Sequence, residues 1–119
     1  MEEVTKITLP EVLNKKKDDS FNEFKIMMQN HRFDFDEQDP ESGKTLLMQL
    51  IESQSPTEFI WFCLEYFADT SVQDKSGNTA LHYAFASPNR QYAYILLLFN
   101  ADTKIKNNDE KEPDRKSVV

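Results

Sequence analysis

The chain of 119 residues has a formal net charge of −7 and contains nine Phe, four Tyr and one Trp. A chain of this length forms one domain at most, and its apolar content is sufficient for a core. The acidic balance argues against a nucleic-acid surface, since phosphate binding needs a net basic stripe. No apolar stretch approaches the ~18 residues of a membrane-spanning helix, and the acidic first residues do not resemble a secretion signal. We therefore expect neither nucleic acid nor a membrane among its partners.

The chain has one cysteine, Cys63, within the apolar run at 59–68. A single cysteine cannot form an internal disulfide, which is typical of reducing compartments, and we expect a cytoplasmic or nuclear location. The neighbouring residues Phe62, Leu64 and Glu65 offer no cation that would activate a thiolate. Cys63 is therefore predicted to be a core residue.

Two helix starts are predicted near the N-terminus, after residues 1–7, which we expect to be flexible. Thr8 and Ser20 are each followed three positions later by a glutamate, which is the pattern of a capping box. Apolar residues at helical spacing follow both caps and predict a short helix pair within residues 8–39. These residues are Leu9, Val12 and Leu13 in the first helix, and Phe21, Phe24, Met27 and Met28 in the second.

An acidic, turn-rich segment at residues 31–42 follows this helix pair. It does not fit a calcium-binding loop, because Asp39 stands where the loop requires glycine and Thr45 where it requires glutamate. Phe33 and Phe35 alternate with aspartates, which predicts a short extended arm. We expect no metal site here.

The only two glycines lie 34 positions apart, and each begins the pattern Gly-x-Thr-x-Leu. A pair of Ala-Asp dipeptides recurs after 33 positions, and a recurrence of this length is typical of repeat proteins. The difference of one residue predicts an insertion in the turn at 54–56. The matching segments are Gly43–Leu47 with Gly77–Leu81, and Ala68–Asp69 with Ala101–Asp102.

The sequence pattern of each repeat predicts a pair of helices. Thr45 and Thr79 are expected to cap the first helix of each pair, which we call the inner helix. Turns rich in Ser and Pro follow, at 54–57 and 87–89. The second helices, which we call the outer helices, are predicted at 58–67 and 92–99.

The stretch Asp74–Ala84, with Gly77-Asn78-Thr79-Ala80-Leu81-His82 at its centre, resembles the opening of an ankyrin repeat. The resemblance implies an all-α solenoid of stacked helix-turn-helix units with projecting hairpin loops. It divides the chain into a degenerate N-terminal capping repeat (8–39), two repeats (40–73 and 74–107) and a polar tail (108–119). A third repeat begins in register at Asn107–Glu110 but is not completed, because Glu110 replaces the turn glycine and Asp114 replaces the key leucine. The family also implies protein binding, with no cofactor and no catalysis.

The resemblance carries over six structural positions: Gly43, Thr45, Gly77, Thr79, Leu81 and His82. It implies that His82 stabilises the turn by bonding near Thr79 and is not a catalytic base. No serine, acid or second histidine stands at a spacing that suggests a triad. An enzyme or a metal-binding protein is therefore only a remote alternative.

Large apolar residues occupy positions of the outer helices that are usually polar in the family. Trp61 and Tyr94 lie 33 positions apart and Leu98 follows, so these three are expected to form an apolar patch on the convex face. The alternative is that Trp61 covers the core. The family's usual concave surface supplies the other candidate partner-binding residues, which are Lys44, Lys75, Asn78, Tyr66 and Phe99.

The last outer helix is apolar almost all round, although terminal repeats normally carry a polar outer face. Three explanations are open: the chain is a fragment of a longer array with a structural role, it forms a homodimer, or another protein or its own tail covers this end. The last residues, Lys116–Val119, resemble a ligand of a PDZ domain, and the alternative is a solvated tail. The leading hypothesis is an adaptor, scaffold or inhibitor that binds a partner protein.

Overall fold

The computed structural model describes residues 5–16 and 20–114, and this part of the chain contains six α-helices and no strand beyond an isolated bridge. The all-α prediction is therefore confirmed. No described helix has the length and apolarity needed to cross a lipid bilayer. The helices are α1 (Leu9–Lys16), α2 (Phe21–Asn30), α3 (Leu46–Glu52), α4 (Thr57–Glu65), α5 (Ala80–Ala86) and α6 (Gln91–Leu98).

Helices α1 and α2 begin where the capping pattern predicts. The backbone N–H of Thr8 donates to Glu11 Oε1 (3.2 Å), and the Thr8 hydroxyl donates to the same oxygen (2.9 Å). The Ser20 hydroxyl oxygen accepts a hydrogen bond from the Glu23 N–H (3.4 Å). The predicted apolar faces point inward, and their fully buried members are Leu9, Val12 and Phe24.

Four aromatic rings join α2 to α4. Phe21 and Phe24 of α2 each meet Phe59 and Phe62 of α4 edge-to-face, with ring centroids 4.9–6.2 Å apart. Each such pair adds about 0.5–1.5 kcal/mol to the stabilisation that burial provides. The N-terminal helix pair therefore covers one end of the stack, as a capping unit must.

Residues 5–7 do not match the expectation of a flexible N-terminus. Lys6 forms a parallel β-bridge with Arg32. In this bridge the Ile7 N–H donates to the Arg32 carbonyl (2.9 Å), and the Arg32 N–H donates to the Thr5 carbonyl (3.0 Å). Ile7 is buried in the core. These contacts order the segment, and residues 1–4 lie outside the described part of the chain.

The helices form two layers. Inner helices α3 and α5 pack against each other, outer helices α2, α4 and α6 follow in that order, and each inner helix packs against the outer helix of its own pair. Tyr92 of α6 is buried and donates its hydroxyl hydrogen to the Ser55 carbonyl of the preceding repeat. The molecule is elongated, with extents of 50 × 25 × 24 Å. This arrangement confirms the predicted solenoid.

Hydrogen bonds link the turns of successive repeats into a ladder. The Gln38 amide nitrogen donates to the Gly43 carbonyl (2.8 Å) and across to the Gln73 carbonyl (2.9 Å). Gln73 repeats this arrangement one unit later, donating to the carbonyls of Gly77 (2.8 Å) and Lys106 (3.0 Å). The hairpins are therefore tied to one another as well as to their own helices.

The chain forms a third turn where the sequence predicts a polar tail from residue 108. Glu110 adopts a φ of 61°, close to the 80° of Gly77, and its N–H donates to the Asn107 carbonyl (3.0 Å). The Asn108 N–H bonds the Ser76 carbonyl (3.0 Å), and Pro113 is buried. Residues 107–114 therefore begin a third repeat. Placing the non-glycine residue Glu110 in the left-handed region costs about 1–2 kcal/mol of backbone strain. Lys116–Val119, the PDZ-ligand-like end, lies outside the described residues.

Candidate functional site

Six large apolar side chains are exposed on or just after the two outer helices of the complete repeats, and we call this region the outer aromatic surface. Each helix buries its other apolar residues against the inner layer, so the exposed ones occupy the remaining face. Exposed apolar residues that cluster in this way usually mark an interaction site. The six residues are Trp61, Tyr66, Phe67, Tyr94, Leu97 and Leu98.

Trp61 and Tyr94 occupy equivalent positions in successive repeats but differ in exposure. Trp61 retains 37% exposure because the ring of Phe99 meets it edge-to-face, with ring centroids 5.4 Å apart. Tyr94 retains 67% exposure. Trp61 therefore both covers Phe99 and contributes to the surface, a mixture of the two alternatives that the sequence left open.

Tyr66 and Phe99 match each other in register, but they face different neighbours. Tyr66 stacks on Phe62, with ring centroids 4.4 Å apart and an interplanar angle of 18°, and also lies beside Phe35 (5.8 Å). Phe99 packs against the core and under Trp61. Tyr66 is the exposed member of this pair and belongs to the outer aromatic surface.

Phe67 is the most exposed large apolar residue of the described chain, at 90%, and its φ of 66° lies in the left-handed region. It ends α4 in a Schellman motif: its N–H bonds the Leu64 carbonyl (3.0 Å), and the Ala68 N–H bonds the Cys63 carbonyl (3.0 Å). Glycine or asparagine usually fills this position. Asn100 does so at the equivalent position after α6, with a φ of 64°.

Sequence reasoning missed Phe67 because the apolar pattern extended the predicted helix to residue 67, whereas α4 ends at Glu65. The signal that could have found it is the 33-residue register. That register aligns Phe67 with Asn100, a residue suited to the left-handed region.

The candidate partner-binding residues on the hairpin and inner-helix side already contact other residues of the chain. Lys44 Nζ pairs with Glu52 Oε1 (2.7 Å) and lies 5.4 Å from the centre of the Tyr83 ring. Lys75 Nζ donates to the Pro40 carbonyl (2.6 Å), and the Asn78 side-chain oxygen accepts from Asn107 (2.9 Å). The partners of these three side chains are hairpin and inner-helix residues, and none of them belongs to the outer aromatic surface.

Two glycines hold the turns because no other residue fits there. A Cβ atom on Gly43 would lie 2.8 Å from the Lys75 nitrogen, and one on Gly77 would lie 2.6 Å from that of Asn108. Both glycines also have φ angles near 80°. Each repeat therefore docks its turn against the backbone of the next, and a side chain would separate them.

Threonine and histidine side chains fix the starts of the inner helices. Thr45 Oγ1 accepts from the Met48 N–H (3.3 Å), and His82 Nδ1 accepts from the Thr79 N–H (2.9 Å). His82 Nε2 lies 2.9 Å from the Lys111 carbonyl, which can only accept. The proton of the neutral ring therefore resides on Nε2, and His82 ties the third turn to α5. Leu81 is buried beside them.

Burial shifts the pKa of Cys63 and Tyr83, two ionisable side chains in the described part of the chain. Burial raises the pKa of the Cys63 thiol to about 12, which disfavours the thiolate form that reacts as a nucleophile. Burial, and then a hydrogen bond to Asp74, raise the pKa of the Tyr83 hydroxyl. Within the described residues, no three His, Cys, Asp or Glu side chains are placed to hold a metal ion.

The model of the family described as ankyrin repeats, in three copies, matches residues 14–109. The chain belongs to the ankyrin-repeat family. A curated ankyrin repeat protein of Acanthamoeba polyphaga mimivirus is 41% identical over 69 residues, which cover 58% of this chain and 17% of that protein. The chain therefore spans only a small part of this relative. Ankyrin repeats are protein–protein interaction modules and are generally not enzymes.

Proposed function

We propose that this chain binds a partner protein through the outer aromatic surface, centred on Trp61, Tyr66 and Phe67. The observation that carries the proposal is Phe67, which is exposed and held in a strained conformation. Stability alone favours glycine here, because glycine occupies the left-handed region without steric cost. A side chain that contributes little burial and adds strain is expected where contact with another molecule compensates for both.

The composition of the surface supports the same proposal. Tryptophan and tyrosine are enriched among residues that dominate binding energy, since each offers a large rigid area with a polar atom. Trp61 and Tyr66 are fixed in place by ring contacts with Phe99 and Phe62. Such preorganised anchors lose little conformational entropy on binding.

The test is selection of a displayed peptide library on the protein, followed by binding measurements on Phe67→Gly. We expect the selected peptides to lose at least tenfold in affinity for this variant. Asn100→Gly is the matched control, because it changes the same position of the next repeat. Selected peptides that bind wild type and Phe67→Gly equally would contradict the proposal, and so would a library that yields no binder.

A second candidate function is self-association through the C-terminal end of α6. Leu64 and Leu97 occupy equivalent positions, yet Leu64 is 4% exposed and Leu97 is 40% exposed. This difference agrees with the stacking order, because α6 packs over α4, whereas no described helix packs over α6. A second copy placed against α6 would bury Leu97 and Leu98 as a further repeat would. The oligomeric state in solution tests this proposal.

A further inference from the structure

A groove of about 480 Å³ lies between α2 and α4, beside the outer aromatic surface. Phe62 is the buried aromatic residue of its lining, Phe21 is partly buried, and Trp61 and Tyr66 are exposed. Pockets that hold specific ligands typically measure about 300–1,000 Å³ and combine an apolar lining with a few polar groups. The size and lining of this groove therefore suit several side chains of a partner.

Helix α4 places two carboxylates at the edge of this groove at a regular spacing. Glu58, Trp61, Phe62 and Glu65 occupy positions i, i+3, i+4 and i+7, which fall on one face of a helix. The two glutamates are therefore separated by roughly 10 Å along the helix axis, with the aromatic pair between them. Both carboxylates are exposed, and neither has an ion-pair partner in the described part of the chain.

The charges around the groove are acidic on balance. Lys25 of α2 is the one cation of the lining, opposite Glu58 and Glu65. At the Tyr66 end the arm of the preceding hairpin adds Asp36, which accepts from the Asp69 N–H (2.8 Å) next to the contact of Phe35 with Tyr66. A chain with a net charge of −7 adds a long-range field of the same sign.

We propose that this groove receives an amphipathic basic helix of a partner protein. Its apolar residues would pack on Trp61 and Tyr66, and lysine or arginine residues seven positions apart would meet Glu58 and Glu65. A helix is the matching shape because the groove runs between two helices, and because a partner helix repeats the seven-residue spacing of α4. The inference rests on the proposed function and specifies the chemistry of the partner.

The probe is a synthetic helical peptide of about 14 residues without tryptophan, with leucines at i+3 and i+4 and lysines at i and i+7. Trp61 is the only tryptophan of the chain, so its fluorescence reports binding in the groove directly. We expect saturable binding with a change in the Trp61 emission. A comparison peptide with glutamates in place of the lysines should bind at least tenfold more weakly.

Protein variants distinguish the effect of the groove carboxylates on binding from the effect of the overall net charge. Glu58→Lys combined with Glu65→Lys should weaken binding of the basic peptide at least tenfold, and the double glutamine variant should weaken it by a smaller factor. Glu41→Lys combined with Glu112→Lys changes the net charge equally at exposed sites outside the groove and should leave most of the affinity intact. Thermal unfolding of each variant verifies that it folds.

Three outcomes would overturn the inference: no binding of the basic peptide, equal binding of the acidic peptide, or equal losses in the groove and control variants. Library selection distinguishes this failure from failure of the proposed function. Selected peptides that depend on Phe67 but lack basic residues would leave the proposed function standing and overturn the basic helix. A library that yields no binder, together with no binding of the basic peptide, would overturn both.

Discussion

At the scale of single residues, the proposed function and stability make opposite demands at position 67. Phe67 is held in the left-handed region and leaves most of its ring in water. Its backbone strain is worth about 1–2 kcal/mol. Glycine removes this strain. It also increases the conformational entropy of the unfolded chain, which destabilises the folded state by about 0.5–1 kcal/mol and offsets part of the gain.

We therefore predict that Phe67→Gly raises the free energy of unfolding by about 0.5–1 kcal/mol. The ring contributes little burial in the native state, so its loss costs little. Denaturant unfolding of wild type, Phe67→Gly and Asn100→Gly measures the effect. A clear destabilisation by Phe67→Gly would mean that the ring packs on the protein and would count against its assignment as a binding residue.

A second residue-scale prediction concerns acid. Asp39 Oδ2 accepts three hydrogen bonds, from the Ser42 N–H (2.9 Å), the Ser42 hydroxyl (3.0 Å) and the Glu41 N–H (3.1 Å). These bonds lower the pKa of Asp39, and the bond from the Ser42 N–H has the largest effect. A carboxylate whose pKa is lower in the folded state contributes stability above its unfolded pKa, near 3.9, and loses it as the pH falls through the folded value.

Asp39→Asn should therefore show a shallower loss of stability below about pH 4 than wild type. The measurement is the free energy of unfolding as a function of pH, with Asp109→Asn as the control because its side chain accepts no hydrogen bond in the described structure. Parallel pH curves for wild type and Asp39→Asn would contradict the role assigned to this turn.

At the scale of structural elements, the sequence was informative wherever one residue type satisfies a turn or a cap. The spacing of Gly43 and Gly77 predicted both turns, and the Thr and Ser caps predicted helix starts that the structure shows. The third turn could not be predicted in this way, because Glu110 stands where the pattern requires glycine. Hydrogen bonds from Asn108 and His82 hold that turn and offset the strain.

The close approach of the turns leads to a prediction for Gly43→Ala. The added Cβ would meet the Lys75 backbone at 2.8 Å while the residue keeps a φ of 76°. We expect a loss of at least about 2 kcal/mol, the strain of an alanine in the left-handed region plus displacement of the next repeat. Thermal unfolding measures it, and Ala86→Gly at the last residue of α5 calibrates an ordinary glycine–alanine exchange, which costs at most about 1 kcal/mol.

Glu110→Gly provides the opposite comparison. It should stabilise the third turn, since it restores the residue type that the conformation favours. A neutral or stabilising Glu110→Gly combined with a strongly destabilising Gly43→Ala would establish that the turns, and not the helices alone, couple the repeats. A mild effect of Gly43→Ala would mean that the hairpins adjust independently of one another.

At the scale of the whole molecule, the two ends of the described stack differ. Helix α2 covers the N-terminal side with aromatic contacts to α4, whereas α6 leaves Leu97 and Leu98 exposed. The sequence predicted this asymmetry from the apolar pattern at 92–99. It could not predict that residues 107–114 would continue over α5, because the order of that segment depends on contacts with the preceding turn.

The exposed end leads to a prediction about oligomeric state. Burying a leucine side chain contributes about 1.5–3 kcal/mol, so a second copy placed on α6 gains from both leucines. We expect sedimentation velocity to show concentration-dependent dimerisation of wild type, and Leu97→Glu combined with Leu98→Glu to be monomeric. Ile26→Glu changes an exposed apolar residue of α2, away from this end, and should leave dimerisation intact. A wild type that stays monomeric at high concentration would contradict self-association.

The central claim is that the outer aromatic surface, and not the hairpin side, receives the partner. The most direct test is to record the backbone amide spectrum of the labelled protein by NMR with and without a library-selected peptide. We predict that the shifted resonances belong to α2, α4 and residues 66–68, with Phe67 among the largest changes. Shifts centred on Lys44, Lys75 and Asn78, with α4 unchanged, would contradict the claim.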